Sequence, residues 1–413
     1  MTEPTRIAYL TGEYPRATDT FIQREVAGLR RQGIEVRTCS IRRTGAEHLV
    51  GEEQVAEAAA TFHVLEAAKS PRHLGRALLR ALRQPGRLLR TMALARRTAP
   101  GGLRNGLWQV FYLVEALVLA DAMAREGITH LHNHIAKASC TVAMLASELS
   151  GIPYSFTLHG PDIFFAPDHW RLDEKITRAR FVACISEFCR AQAMLFSPRA
   201  QWDKLHIVHC GIDPARYDPA PRSGPPHLMF VGRLAAVKGI PVLFEALVQL
   251  KSTMPDLRVT LIGDGPERAG LERDAAEMGL REMVHFAGYK SQAEVAEALR
   301  DTDALVLPSF AEGVPVVLME AMAAGRPVIA TAVAGVRELV EDGVSGCLVH
   351  PGDPQSLAHA ITVVLQDPER RARMGAAGRA KVESEFDIGK ETDWLAQVFT
   401  AYAGHTARPG KRP

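Results

Sequence analysis

Two glutamates eight positions apart, Glu312 and Glu320, lie in a stretch whose other residues can bind anions. Gly313 and Val314 follow the first glutamate, and Pro315 suits a first helical turn, where a missing N–H has no cost. The backbone N–H groups at such a helix start can hold phosphate or sugar oxygens. Because carboxylates repel phosphate, we expect the two glutamates to accept hydrogen bonds from neutral hydroxyls on either side of the phosphates.

A pair of cations follows an earlier apolar run. Arg233 and Lys238 come directly after residues 227–231, in the order Gly-Arg-x4-Lys-Gly. Arginine offers a planar fork and lysine a point charge, so both side chains can converge on a diphosphate from one loop. The alternative is a pair of unrelated surface cations. The position after a strand favours the diphosphate role.

The elements that must position these residues follow a regular order. Residues 304–307 form an apolar run suited to a buried parallel strand, followed by a polar loop, a helix from 316 to 324 and a strand at 328–330. Further strand-then-turn units are predicted at 7–10, 129–133, 154–158, 259–262 and 284–288. This order predicts an α/β fold, in which ligands bind at the carboxyl ends of the strands.

The spacing of Glu312 and Glu320, followed by Glu-Ala-Met-Ala-Ala-Gly-Arg-Pro-Val-Ile-Ala-Thr, resembles the signature of family 4 retaining glycosyltransferases of GT-B architecture. The resemblance covers the C-terminal half well and the N-terminal half loosely. Within this family, the sequence is similar to exopolysaccharide and colanic-acid-type transferases. It implies two Rossmann-like domains facing a central cleft. It also implies that a sugar moves from a nucleotide-diphosphate sugar to a saccharide or polyprenyl-linked glycan acceptor, with retention at the anomeric carbon.

The resemblance also implies roles for individual residues of the C-terminal half. The donor diphosphate would be held by four residues: Arg233, Lys238, Gly313 and Val314. Glu320 would accept the ribose hydroxyls, and Tyr289 follows the strand where the base is held. Glu312 would hold the transferred sugar and act with His159 in catalysis.

In the N-terminal half the resemblance implies fewer contacts. His159 begins a His-Gly-x-Asp segment that includes Asp162, directly after a predicted strand, and it would approach the transferred sugar. In the first loop, a single Gly12 and a Thr-Asp-Thr-Phe segment containing Thr20 stand where many members have a glycine pair. We expect Gly12 and Thr20 to contact donor or acceptor.

No metal or other cofactor is expected. The two cations and the helix terminus can neutralise the leaving diphosphate, so an acidic metal site is not required. His130, His132 and His134 alternate along a predicted strand, but no acid or cysteine accompanies them at ligand spacing. We expect them in the core and at the strand end. The glycines at 263, 265 and 270 do not form the G-x-G-x-x-G of a Rossmann dehydrogenase.

The length of 413 residues exceeds what one core usually supports and predicts two domains. We expect an N-terminal domain at 1–213, a proline-rich linker at 214–226 and a C-terminal domain at 227–385. A helix at 386–403 would cross back to the first domain, and 404–413 would be disordered. A net charge of +2 gives no reason to expect nucleic acid. Six scattered cysteines without a C-x-x-C pair indicate a reducing, cytoplasmic setting.

Residues 69–104 carry ten cations and no acid. Helical spacing puts six of the arginines on one stripe: Arg72, Arg76, Arg80, Arg83, Arg87 and Arg90. Leucines are predicted on another stripe, with a kink at Pro85. One interpretation is a solvated helical face packed on the N-terminal domain. The other is a basic surface on anionic lipid at the inner face of the cytoplasmic membrane, where each cation adds about 1 kcal/mol. Only Trp108 is nearby for base stacking, which disfavours RNA.

No uninterrupted apolar run is long enough to predict a membrane span, and residues 107–120 include Gln109 and Glu115, so we expect a buried helix there. Two other functions remain open at this point. A nucleotide-sugar epimerase of GT-B layout would need an acid and a base, for which the sequence shows no candidate pair. A non-catalytic nucleotide-sugar-binding protein would bind the donor without turnover.

Overall fold

The computed structural model describes residues 6–16, 19–49, 51–160, 163–219 and 222–403. Asp162 and the predicted tail at 404–413 lie outside these residues. The chain divides into two compact units, one of residues 1–209 with 390–413 and the other of residues 210–389.

The described part of the first unit contains one parallel sheet of seven strands, in the order β3-β2-β1-β4-β5-β6-β7. The strands are β1 (Arg6–Glu13), β2 (Glu35–Arg42), β3 (Phe62–His63), β4 (His130–His134), β5 (Tyr154–Leu158), β6 (Val182–Cys184) and β7 (Leu205–Ile207). β1 is longer than predicted, because Thr11 and Glu13 continue to pair with Ser40 and Arg42 of β2. The predicted turn at 11–13 is therefore strand.

The helices of the first unit connect these strands. They are α1 (Thr20–Arg31), α2 (Glu52–Ala60), α3 (Val64–Ala68), α4 (Pro71–Leu82), α5 (Pro85–Arg97), α6 (Leu103–Arg125), α7 (Ala138–Ser150), α8 (Leu172–Arg178) and α9 (Glu187–Leu195). In the described part of the chain, α6 is the one helix long and apolar enough to cross a membrane by length and composition, and 56% of its apolar window is buried inside the protein. Its second half packs against α7, as a core helix does.

The predicted kinked basic helix is two helices, α4 and α5. On α4, the side chains of Leu78, Leu79 and Leu82 are about half exposed, and so are those of Arg76 and Arg80. The residues of α4 that pack inward are Ala77 and Ala81. Beside them, the Nε–H groups of Arg76 and Arg80 donate to the buried Asp121 carboxylate of α6 at 2.7 and 2.9 Å and anchor the helix.

The described part of the second unit contains a parallel sheet of six strands, in the order β10-β9-β8-β11-β12-β13. The strands are β8 (His227–Val231), β9 (Arg258–Ile262), β10 (Val284–Gly288), β11 (Ala304–Leu307), β12 (Val328–Thr331) and β13 (Gly346–Val349). The helices are α10 (Ile240–Leu250), α11 (Arg268–Glu277), α12 (Gln292–Arg300), α13 (Val316–Ala323), α14 (Val336–Leu339), α15 (Pro354–Gln366) and α16 (Pro368–Glu385). The predicted α/β fold with two parallel sheets is confirmed.

Two segments near the unit boundaries make specific contacts. In the described part of residues 214–226, Arg222 pairs with the buried Asp303 at 2.6 Å and Pro219 approaches Gly325, so this segment packs on the second unit. The last helix, α17 (Ile388–Ala403), packs on the first sheet, where the indole N–H of Trp394 donates to the carbonyl of Ile207 at 2.9 Å.

The packing of α17 predicts that truncating one buried side chain on it destabilises the first unit. Leu395 is fully buried in a cluster that includes Ile7 and Tyr9 of β1. We expect Leu395→Ala to lower the free energy of unfolding by about 2–5 kcal/mol, because the cavity left behind cannot fully collapse. Denaturant unfolding followed by circular dichroism measures this. The exposed Gln397 on the same helix gives the control Gln397→Ala. If both substitutions lowered the free energy of unfolding equally, the packing of Leu395 on the first sheet would be contradicted.

Candidate functional site

Each sheet has a switch point, where the chain changes the direction in which it adds strands. In the second sheet this point lies between β8 and β11, and in the first between β1 and β4. Ligands of open α/β sheets bind outside the carboxyl ends of strands at such points. The predicted donor residues of the second unit follow β8 and β11, as the sequence indicates.

Glycines allow the loops after β8 and β11 to approach each other. Gly239 has a φ of 63°, and a Cβ there would lie 2.1 Å from the carbonyl oxygen of Pro308. The N–H of Phe310 donates to the carbonyl of Val237 at 2.8 Å. Only a residue without a side chain fits at Gly239, so this loop packs directly on the segment that leaves β11.

The two loops bring together Lys238 and Glu312, which the sequence assigns to different parts of the donor. The Lys238 ammonium donates to Oε1 of Glu312 at 2.5 Å. Both side chains are largely buried, at 20% and 11% exposure. Arg233 is exposed, and among the described residues it makes no ion pair. Of the two cations in this loop, Lys238 is therefore paired with an acid, whereas Arg233 has no acidic partner among the described residues.

Helix α13 begins at Val316, as predicted, and Pro315 stands at the N-cap position rather than in the first helical turn. Within the part of the chain that the structure describes, the N–H groups of Gly313 and Val314 donate no hydrogen bond to a backbone carbonyl. They are available donors at the positive end of a helix. Glu320 is buried farther along the same helix.

Tyr289 lies at the same edge of the second sheet but farther away. It follows β10, the outermost strand beyond β9, and is half exposed. Three strand spacings separate β10 from β11, or about 14 Å at roughly 4.8 Å per strand. Tyr289 is therefore too distant to touch the group that Glu312 contacts, although both can reach one extended ligand.

In the first unit, His159 follows β5 directly, is partly exposed and ends a hydrogen-bonded chain whose other side chains are buried. The Tyr9 hydroxyl donates to Oε1 of Glu25 at 2.6 Å, and the same oxygen lies 3.0 Å from Nε2 of His134. Nδ1 of His134 lies 2.9 Å from Nε2 of His159. The chain Tyr9–Glu25–His134–His159 thus connects α1 with the middle of β1 and with the carboxyl ends of β4 and β5.

At the Glu25 end the direction of these hydrogen bonds is fixed, because Oε1 accepts from the Tyr9 hydroxyl and from Nε2–H of His134. Nδ1 of His134 and Nε2 of His159 share the next hydrogen bond. Burial, and next the neighbouring His134, hold the pKa of His159 well below its usual range. The imidazole of His159 is therefore neutral at pH 7.

Sequence reasoning missed Glu25 and Tyr9. Glu25 lies on α1, more than a hundred residues from His134, and no local spacing connects them. Glu25, His132 and His134 also present ligand atoms within 4.8 Å of one another, a set that could hold a metal ion. The nitrogens of His132 already bond Ser155 and Thr157. The group forms a hydrogen-bonded network, and the absence of a required metal stays a prediction.

The two first-loop residues lie on different elements. Gly12 lies near the end of β1, where a Cβ would meet no atom within 4 Å, and it lines a cavity beside that strand. Thr20 is the first residue of α1. Their predicted contacts with donor or acceptor stay predictions.

Two family models match consecutive parts of the chain. The one described as Glycosyltransferase Family 4 matches residues 19–216. The one described as Glycosyl transferases group 1 matches residues 213–381. Together they cover every strand of the two sheets except β1.

Relatives match by sequence and by structure. WcaL of Escherichia coli (strain K12), named for colanic acid biosynthesis, is 28% identical over 426 residues, covering 95% of this chain and all of WcaL. The amylovoran biosynthesis glycosyltransferase AmsK of Erwinia amylovora is 36% identical over 210 residues, 49% of this chain and 52% of AmsK.

Among solved structures, HepE of Anabaena in complex with UDP-glucose superposes with a TM-score of 0.73 at 18% identity, covering 96% of this chain and 99% of HepE. At this identity the likeness shows the fold. With the family matches, it confirms the resemblance suggested by Glu312, Glu320 and the residues that follow them. The chain therefore belongs to the glycosyltransferases of the GT-B fold, with a family 4 segment followed by a group 1 segment.

Proposed function

We propose that the protein transfers a sugar from a nucleoside diphosphate sugar to a saccharide or polyprenyl-linked saccharide in cell-surface polysaccharide biosynthesis, with retention at the anomeric carbon. The observation that carries this proposal is the Lys238–Glu312 pair beside the N–H groups of Gly313 and Val314. A cation and N–H donors suit a diphosphate, and a carboxylate suits sugar hydroxyls. The names of WcaL and AmsK support a polysaccharide product, and the UDP-glucose bound to HepE supports the donor class.

Donor binding would exchange partners at this pair. Lys238 and Glu312 form an ion pair with each other. A diphosphate would attract Lys238 and repel Glu312, which turns to the hydroxyls of the transferred sugar. Arg233, which is exposed, would also contact the diphosphate. Glu320 lies one to two turns farther along α13 and would accept hydrogen bonds from the ribose hydroxyls. The cations and the helix terminus neutralise the leaving diphosphate, so the proposed reaction needs no metal.

A direct assay tests the function. The protein is incubated with UDP-, GDP- and ADP-linked sugars and an isolated lipid-linked saccharide, with a chelator present in a parallel sample. We expect release of nucleoside diphosphate and an extended glycolipid in both samples. An epimerase would convert the donor sugar without releasing the diphosphate, and a binding protein would give neither product.

Calorimetry with the nucleoside diphosphate separates the roles of the donor residues. Lys238→Ala and Glu320→Gln should weaken binding, because each removes a group that touches the diphosphate or the ribose. Glu312→Gln should bind it as tightly as the wild type or more tightly, because Lys238 loses its competing partner, while transfer is impaired. Lys238→Ala should also lower turnover by roughly 10²–10³-fold, as the loss of one preorganised donor does.

The exposed Lys251 gives a control that removes a cation from the same unit. Equal loss of binding in Glu312→Gln and Glu320→Gln would show that the two carboxylates do not divide the ligand between them.

The chain Tyr9–Glu25–His134–His159 is proposed to hold His159 for its role at the transferred sugar, as the resemblance implies. Glu25→Gln puts a neutral amide in the place of the carboxylate that orients His134. We expect turnover to fall roughly 10–100-fold, the range seen when supporting partners of metal-bound histidines are lost. Binding of the nucleoside diphosphate should not change, because its proposed ligands lie in the second unit.

Tyr9→Phe serves as the matched variant, because it removes one hydrogen bond to Glu25 but leaves the carboxylate. Its turnover should lie between those of the wild type and Glu25→Gln. A Glu25→Gln enzyme of full activity would refute the positioning role.

A membrane contact of the first unit is the second part of the proposal. Exposed apolar side chains follow helical spacing on three consecutive helices, with Leu78 and Leu82 on α4, Leu89 and Met92 on α5, and Leu107 on α6. They are flanked by exposed arginines that make no ion pair with a described residue: Arg72, Arg83, Arg96 and Arg104. Apolar side chains beside unpaired cations suit an anionic lipid surface, here the cytoplasmic face of the membrane.

The structure changes which of the predicted arginines can test this contact. Burial acts to raise the pKa of Asp121, but hydrogen bonds from Arg76, Arg80 and Arg125 outweigh it and hold the pKa below its usual value. Arg76 and Arg80 therefore anchor α4 on α6, and Arg90 pairs with Glu148 at 3.0 Å. Substitution of these residues would damage the fold as well as the surface.

We expect the triple variant Arg72→Glu, Arg83→Glu and Arg96→Glu to lose binding to vesicles that contain phosphatidylglycerol. Each cation adds about 1 kcal/mol at such a surface. Wild-type binding should fade as salt shortens the screening length from about 10 Å at 0.1 M to about 3 Å at 1 M. Co-sedimentation measures both effects.

The matched control makes the same charge change on the second unit, at the exposed Arg258, Arg273 and Arg281. If vesicle binding did not depend on lipid charge, or if both triple variants lost it equally, α4 and α5 would be an ordinary solvated surface.

A further inference from the structure

A cavity of about 420 Å³ lies at the amino edge of the first sheet. Gly151, just before β5, and Tyr154, the first residue of β5, line it, and so does Arg178 at the end of α8 before β6. Because the strands are parallel, this edge is opposite to the one where His159 follows β5. The length of β5 separates the two edges by about 17 Å, at roughly 3.3 Å per residue. The cavity is therefore separate from the proposed site of transfer.

Arginines dominate the lining of this cavity. Among the described residues that line it, three are arginines and one is acidic, an excess of two positive charges. Arg87 and Arg90 come from α5 and Arg178 from α8, whereas the acid is Glu148 of α7. Like charges brought to one space repel each other, so this arrangement favours an anion that balances them.

The single acid pairs with two of the three arginines. The Nε–H of Arg90 donates to Oε1 of Glu148 at 3.0 Å, and Nη1 of Arg178 donates to Oε2 at 3.0 Å. Each carboxylate oxygen of Glu148 thus already accepts from an arginine, and neither accepts from Arg87. The acid neutralises only part of the charge around it.

Arg87 is the arginine without an acidic partner. Its side chain is half-buried and makes neither an ion pair nor a hydrogen bond with a described residue. Its guanidinium fills the space beside Gly151, where a Cβ would lie 1.8 Å from Nη1. Gly151 ends α7, and the negative end of a helix attracts a cation. This attraction explains where the guanidinium lies, but its N–H donors find no acceptor among the described residues.

Ion pairs beyond the cavity hold Arg178 in place. Its Nε–H donates to Oε2 of Glu174 at 3.1 Å, and the same oxygen accepts from Arg97 of α5 at 3.0 Å. Arg171 lies 3.6 Å from the other oxygen of Glu174. Because acids on two helices, Glu148 and Glu174, already fix Arg178, little side-chain freedom is lost when an anion binds.

We propose that this cavity binds a phosphate monoester as a dianion. Such an ester carries about −1.5 to −2 charges at pH 7, which matches the excess charge of the lining. Arg87 offers its whole guanidinium fork to the phosphate oxygens. Arg90 retains both Nη groups and Arg178 its Nη2, since no described residue accepts from them. The volume leaves room for a small organic group beyond the phosphate.

The same phosphate chemistry occurs in soluble esters and in the headgroup of phosphatidic acid. Calorimetry at constant ionic strength therefore compares inorganic phosphate, glycerol phosphate and dihexanoyl phosphatidic acid below its micelle concentration, with glycerol as the neutral reference. We expect the phosphate probes to bind to this cavity and glycerol not to bind. The probe with the lowest dissociation constant tells whether the natural ligand is a soluble phosphate or a lipid headgroup.

Two substitutions should change the affinity in opposite directions. Arg87→Met should weaken every phosphate probe roughly tenfold, the effect of losing a hydrogen bond to a charged group. Glu148→Gln should strengthen binding roughly fivefold, because it removes a negative charge beside the anion and frees Arg90 and Arg178. Damage to the fold cannot produce a gain of affinity. Arg87→Met breaks no ion pair, so it folds even if Glu148→Gln does not.

The exposed Arg199 and Glu53 of the same unit give matched controls, Arg199→Met and Glu53→Gln, which should bind the probes as the wild type does. Phosphate that binds elsewhere does not respond to Arg87, so the difference between the wild type and Arg87→Met isolates this cavity. If Arg87→Met binds every probe as the wild type does, or if Arg199→Met loses as much affinity, the proposal is overturned. These titrations require no sugar transfer, so they decide the proposal even if the transferase function fails its own assay.

Discussion

Parallel strands buried on both faces can present functional groups only at their ends. Every residue of β4, β5, β11 and β12 is buried, so side chains in mid-strand have no access to a ligand. Lys238 and Glu312 in the second unit and His159 in the first all follow the carboxyl ends of strands. The sheet topology therefore decides where chemistry is possible, and the loops decide which groups are brought together.

The strands could be predicted because their signal is local. Runs such as 227–231, 284–288 and 304–307 are short, apolar and bounded by turn residues, and the structure has strands at these positions. The positions of Arg233, Lys238 and Glu312 in the loops after these strands could be predicted for the same reason, and their roles at the donor stay predictions. Glu25 could not be predicted, because its bond to His134 joins residues that are distant in sequence and depends on how α1 packs.

The basic helices show a different limit of sequence patterns. Helical periodicity separates the arginines of α4 from its leucines, but it does not say which stripe faces the protein. The structure buries neither stripe of α4, because the residues that pack inward are Ala77 and Ala81. Asp121 on α6 is a buried acid whose two oxygens accept from Arg76 and Arg80. Since a buried carboxylate without partners is costly, these two half-exposed arginines are held beside that contact.

A pre-formed ion pair at the proposed donor site also bears on selectivity. Lys238 and Glu312 are largely buried and satisfied by each other, so a ligand that engages only one of them leaves the other unpaired at a cost. A nucleoside diphosphate offers phosphate oxygens to Lys238 but nothing to Glu312. With the roles proposed for these residues, a nucleotide sugar would offer partners to both, which would favour binding of the donor over retention of the product. The pair would thus discriminate substrate from product before any contact with the acceptor.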